Sequence, residues 1–251
     1  MISIQNLEKI SQRYQSAVFP NIAREYVQHI FLSELYKLPD SGKLLFKGGT
    51  ALRIVYGSPR FSEDLDFSFF ALSKNETNEI VENLFIKTLA EIDRFGIKVK
   101  IGRKSGATTG GYFGIAEFKV FDFPLINVEI NVSARNTKKI AGEVDAIAGD
   151  FVPLYNLVHL PQAELIDEKI FGALMNRKKP RDFYDLYFIM RKGMLSLEQK
   201  NNLAKAKKQI VKWAREISFR GELGVFLPAG QQAIARDFAK VFEAEFNRQI
   251  L

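Results

Sequence analysis

Apolar residues recur at helical spacing through most of the first 38 positions. After Pro20-Asn21 they fall at Ala23, Val27, Ile30, Phe31 and Leu35, one side of a predicted helix. Pro39-Asp40-Ser41-Gly42 interrupts it. Lys43-Leu44-Leu45-Phe46 then reads as a strand, and Thr50 to Val55 as the start of a short helix ending near Tyr56. Gly57-Ser58-Pro59 turns the chain toward a second apolar run, Leu65 to Phe70, expected as a largely buried strand. A longer helix opens around Ser73–Glu76, with Val81, Leu84, Phe85, Leu89 and Ile92 along one side. Alternating segments at Ile97–Ile101, Tyr112–Val120 and Leu125–Val132 predict three more strands. Residues 142 to 154 form a weakly patterned connection, and helical spacing governs the chain beyond it. Helices are expected over 163–176 and 181–191, around Leu203 to Ile217, and along Ile234, Phe238, Val241, Phe242 and Phe246. Strands early and helices late imply an α+β fold: a first domain over residues 1–155, helical at its start and built on a mixed sheet, and a helical bundle domain over 156–251.

The run from Phe46 to Phe70 concentrates the candidate chemistry. Gly48-Gly49-Thr50 stands between a strand and a helix, where glycine backbone can approach a phosphate and the Thr50 hydroxyl can donate to it. Asp64 and Asp66 are separated by one residue, so in a strand their carboxylates point to one face. Two anions side by side on an apolar strand require compensation, and a hard divalent cation such as Mg²⁺ takes one or two carboxylates together with phosphate oxygens. A phosphate cradle followed by a carboxylate pair suits metal-assisted nucleotidyl transfer. The glycine-rich Ser105 to Gly111 has no Lys-Ser/Thr ending of a P-loop and reads as a hairpin loop.

Lys47-Gly48-Gly49-Thr50-Ala51-Leu52-Arg53, followed by Arg60-Phe61-Ser62-Glu63-Asp64-Leu65-Asp66-Phe67, resembles the signature of the AbiEii/AbiGii nucleotidyltransferase toxins, within the DNA polymerase β-like superfamily. A second block is similar to that family's lysine helix and Arg-Asp-x-x-Asp helix. It comprises Leu165 to Lys169, on to Arg177, and then Arg181-Asp182-Phe183-Tyr184-Asp185. The resemblance implies a polymerase β-like domain using Mg²⁺ or Mn²⁺ and an NTP. Asp64 and Asp66 would be the metal carboxylates, with Glu129, in the strand expected beside them, as a third by superfamily analogy. Gly48, Gly49 and Thr50 would hold the β,γ-phosphates. Lys169, with Arg53 or Arg60, would offset negative charge. Asp185 would orient the acceptor or act as base, with Asp182 close behind. The resemblance also implies a bacterial toxin with a cognate antitoxin and tRNA as a plausible acceptor.

Composition adds limits. Lysine and arginine exceed aspartate and glutamate by 36 − 29 = 7, a basic balance suited to nucleotides or RNA. Lys205, Lys208, Lys212 and Arg215 recur along one side of a predicted helix, and Arg177-Lys178-Lys179 adds a second basic cluster; such stripes can track a phosphate backbone or simply be solvated. With no cysteine, disulfides and thiolate chemistry are excluded, and two distant histidines, His29 and His159, supply a zinc centre or a histidine triad poorly. The N-terminus has no signal-peptide pattern and no stretch is apolar enough to span a bilayer, so a cytoplasmic protein without membrane partners is expected. Two other readings remain open: modification of a small molecule or protein, and a non-catalytic nucleic-acid- or partner-binding protein on the same fold.

Overall fold

The computed structural model describes residues 2–70, 74–135 and 140–250, apart from the side chains of residues 74 and 75. Its contacts divide the chain into two units. The first comprises residues 1–57 and 61–160, the second Ser58–Arg60 and Pro161 onward.

The first unit opens with α1 (Ile4–Tyr14), capped by Ser3, whose side chain accepts from the Asn6 amide. A π-helical turn leads into α2 (Ala23–Leu35), which is buried on nearly every side and so shows little amphipathic contrast. Next come β1 (Leu44–Lys47), α3 (Gly48–Ile54), β2 (Leu65–Phe70) and α4 (Lys74–Arg94). Six strands follow: β3 (Lys98–Ile101), β4 (Gly106–Thr108), β5 (Gly111–Lys119), β6 (Ile126–Arg135), β7 (Glu143–Ile147) and β8 (Tyr155–His159). They form one mixed sheet in the order β3-β5-β6-β2-β1-β8-β7, with β4 paired to β5. The β2–β6 and β1–β8 pairs are parallel and the others antiparallel. Phe31, Phe46, Phe67, Phe85 and Tyr112 touch ring to ring beneath it, linking α2 and α4 to the strands.

Two segments differ from expectation. The stretch at residues 105–111 is a hairpin, but three of its residues are already strand β4. The weak connection over 142–154 hides β7, whose residues are exposed except Ile147, so no alternation marks it. The sheet then continues through β8, and the first unit closes at residue 160 rather than 155 because Tyr155–His159 are ladder residues.

The second unit contains no strand among its described residues. α5 (Gln162–Asp167) runs through a π-helical segment (Glu168–Leu174) into α6 (Met175–Arg177). Then come α7 (Pro180–Arg191), α8 (Leu197–Glu216), α9 (Arg220–Phe226) and α10 (Phe238–Gln249). Its core is aromatic, with Phe183, Phe219, Phe238, Phe242 and Phe246 in successive ring contacts.

Candidate functional site

The two halves of the first sequence block meet on the sheet. Antiparallel pairing of β1 and β2 ends with Lys47 opposite Asp66, so the chain turns into α3 at Gly48 directly over the Asp66 side chain. Gly48 has φ +84°, and a Cβ built there would stand 2.2 Å from Asp66 Oδ2 and 2.9 Å from Asp66 Cβ. Only glycine satisfies both the left-handed backbone and the close approach. The Asp66 carboxylate is half-buried, and its Oδ1 accepts from Asn131 Nδ2 at 3.3 Å. Asp64, also half-buried, lies just before β2, on the other side of the buried Leu65.

Thr50, expected to donate to a phosphate, is buried and its hydroxyl donates to the Asp64 carbonyl instead. It joins α3 to the carboxylate segment. Arg53 is likewise committed within the fold: Nε and Nη2 each donate to Glu25 of α2 at 2.7 Å, and the guanidinium lies 3.7 Å from the centre of the Phe61 ring. Burial pushes the Glu25 carboxyl above its usual range, against the opposing pull of Arg53.

Glu129 projects from β6 on the same side as Asn131, two residues along, and is exposed. Among the described residues no group of three or more histidine, aspartate or glutamate side chains is placed to hold a metal ion. The residue that does meet Asp66 from β6 is Asn131, because the parallel register sets Asp66 opposite Asn131. Its alternation with Val128, Ile130 and Val132 marked it as outward-facing in the sequence, but nothing local specified that register.

The second block forms its own cluster inside the second unit. Asp185 is fully buried. Lys169 Nζ donates to its Oδ2 at 2.7 Å, Arg60 Nε to its Oδ1 at 2.9 Å and Arg60 Nη2 to its Oδ2 at 3.2 Å. Burial alone would raise the Asp185 pKa, but the charges of Arg60 and Lys169 and their hydrogen bonds outweigh it and hold the carboxyl below its usual range. A carboxylate so held is a poor general base at neutral pH, one of the two roles expected for it, the other being to orient the acceptor. Asp182 is equally occupied: Arg177 donates to both its oxygens at 2.7–3.1 Å and the Lys179 amide at 3.0 Å, so it caps the start of α7. Lys169 itself is nearly enclosed.

Comparison with known families settles the class. A family description, nucleotidyl transferase AbiEii toxin of type IV toxin–antitoxin systems, matches residues 30–250. The chain belongs to the AbiEii family. It is therefore a nucleotidyltransferase toxin, and AbiEii membership implies an NTP substrate and a cognate antitoxin. Two crystal structures share its fold. An H. pylori protein described as a "putative nucleotidyltransferase" is 18% identical, with TM-score 0.56, over 92% of this chain and 97% of that one. JHP933 from Helicobacter pylori is 19% identical, also with TM-score 0.56, over 99% of this chain and 96% of that one. A comparison with curated proteins finds no match.

For an AbiEii nucleotidyltransferase the donor set fits a hard cation. Two half-buried carboxylates one residue apart, beside a turn with no side chain at Gly48 or Gly49, suit an ion that also takes phosphate oxygens. No helix among the described residues is long and apolar enough to cross a membrane.

Proposed function

We propose that this AbiEii-family protein transfers a nucleoside monophosphate from an NTP to an acceptor hydroxyl in a reaction dependent on Mg²⁺ or Mn²⁺, with RNA, and tRNA above all, as the acceptor class. The supporting observation is the seating of the Asp66 carboxylate against the side-chain-free Gly48. That arrangement leaves backbone, not side chain, where a metal-bound triphosphate would approach.

Asp64 and Asp66 would hold the cation, and Asn131 would fix the direction of Asp66. When bound, the cation supplies charge stabilisation to the transferring phosphoryl group and the departing pyrophosphate. The acceptor oxygen attacks the α-phosphorus in line, the bond from that phosphorus to the bridging oxygen breaks, pyrophosphate leaves, and the acceptor's hydroxyl proton passes to solvent water. Gly48 and Gly49 would admit the β,γ-phosphates. Lys169 is engaged by Asp185 within the second unit and is kept as a candidate functional lysine on the family resemblance alone. Asp182 and Asp185 are assigned to architecture. The basic balance and the exposed Lys205, Lys208 and Lys212 of α8 support a polyanionic acceptor, whereas Arg215 of the same stripe is engaged by Glu243 through two hydrogen bonds. Such an activity belongs in the cytoplasm, where NTPs and tRNA are found.

The test is label transfer from each α-³²P NTP with Mg²⁺ and total tRNA, comparing the wild type with Asp66→Asn. Mg²⁺-dependent labelling of RNA that disappears in the variant is expected. Labelling that survives Asp66→Asn would remove the carboxylate assignment. Labelling of protein or a small alcohol in place of RNA would change the acceptor class.

A further inference from the structure

Residues 61–64 carry the chain into β2, and every one of them is fastened. The Phe61 ring lies under the Arg53 guanidinium. The Ser62 and Glu63 carbonyls both accept from Gln28 Nε2, at 3.1 and 3.0 Å. The Glu63 carboxylate is paired with Arg24 Nη1 at 3.1 Å. The Asp64 carbonyl accepts from Thr50. Three of these four fastenings lead back to α2: Arg24 and Gln28 reach the segment directly, and Glu25 holds Arg53. Gln28 is 1% exposed, and its amide group spends its two N–H bonds on two consecutive carbonyls.

We infer that Gln28 is a positioning residue that sets the direction in which Asp64 and Asp66 present their carboxylates to a divalent cation. The inference rests on the proposed metal role of that pair. An uncharged side chain with two donors and enough reach is what two adjacent carbonyls require. Glutamate would bring oxygens against oxygens, and an apolar side chain would leave both carbonyls without that donor. A small octahedral cation such as Mg²⁺ demands near-ideal ligand geometry, so loosening the backbone one residue ahead of Asp64 weakens the site without touching a ligand. The family match begins at residue 30, so the whole α2 contribution, Arg24, Glu25 and Gln28, precedes it.

The experiment measures Mn²⁺ binding to the full chain without nucleotide, by electron paramagnetic resonance of the free ion. Four proteins are compared: wild type, Gln28→Met, Asp66→Asn, and Val27→Ala as a control of buried packing in the same helix. Gln28→Met is expected to weaken Mn²⁺ binding about tenfold. Val27→Ala should stay within about twofold of wild type despite an equal or larger fall in Tm. Should Gln28→Met not fold, Gln28→Asn withdraws the same amide by one methylene and is expected to weaken binding in the same direction. Wild-type binding in the folded Gln28 variant, or equal weakening in Val27→Ala, would overturn the inference while leaving the carboxylate site intact. If Asp66→Asn binds Mn²⁺ as wild type does, the metal reading itself fails and the positioning role falls with it.

Discussion

Lys169 Nζ lies 2.7 Å from Asp185 Oδ2, and Arg60 grips the same carboxylate through two further hydrogen bonds, so one fully buried anion serves two cations. Replacing Asp185 with asparagine leaves both cations facing a neutral amide. Loss of a buried ionic partner costs about 3–5 kcal/mol. Urea unfolding of Asp185→Asn should register most of that. A variant as stable as wild type, but inactive, would instead return Asp185 to the chemistry.

The same carboxylate gives an acid limb to stability. Its folded pKa lies below the usual 3.8, so the folded state holds the proton less tightly than the unfolded chain. Its contribution is complete above the unfolded value and is lost as pH falls through the lower folded one. Comparing urea midpoints of wild type and Asp185→Asn between pH 5 and pH 2, the difference should shrink toward the acid end.

His29 predicts a second, higher window. Burial, with the Arg53 charge adding to it, lowers its pKa from 6.5 to about 4, and the ring exchanges a hydrogen bond with the Tyr155 hydroxyl at 3.0 Å. The unfolded chain therefore binds the extra proton first as pH falls. Stability is full above about pH 6.5 and declines toward pH 4, by about 3 kcal/mol if the whole shift is expressed. Substituting His29 with glutamine should flatten the fall in Tm across that interval, and an unchanged profile would show that His29 does not cause it.

Gly48→Ala tests the contact with Asp66. A left-handed alanine costs about 1–2 kcal/mol, and the new methyl would meet the carboxylate at 2.2 Å. Nucleotidyl transfer should fall close to the level of Asp66→Asn while circular dichroism still reports a folded chain. Near-normal activity would show that Asp66 can act from a displaced position.

The exposed lysines of α8 offer a prediction about the acceptor. Charge reversal of Lys205, Lys208 and Lys212 together should raise KM for RNA and leave KM for the NTP unchanged. If all three contact phosphates, the log–log salt slope of RNA binding should drop by about 2. An unaltered slope would make this face solvated surface.

Much of the sheet was legible because its signals are local. The alternation of β5 and β6, the apolar run of β2 and the glycine pair that opens α3 are each contained in a few adjacent residues. β7 was not legible, since an edge strand with four exposed residues carries no hydrophobic period. The candidate site divides along the same line. Gly48 and Asp66 could be named from sequence, yet the occupations of Thr50, Arg53, Asp182 and Asp185 could not. Thr50 and Arg53 are taken by residues 14 and 28 positions away, and Asp185 by one 125 positions away. A motif specifies side chains, and only the fold specifies which have already been spent on one another. Asn131 stayed hidden for the complementary reason: its partner follows from a parallel register that no short stretch encodes.

The brief departure of Ser58–Arg60 from the first unit has a genetic consequence. Recombination between relatives at residue 160 looks like a clean exchange of one half for another, but the second half would inherit Lys169 and Asp185 from one parent and Arg60 from the other. Where the parents differ at any of these three positions, such a crossover would break the cluster unless the three upstream codons travelled with it. The segment between Gly57 and Phe61 therefore belongs structurally with the C-terminal helices, although it is written within the N-terminal unit.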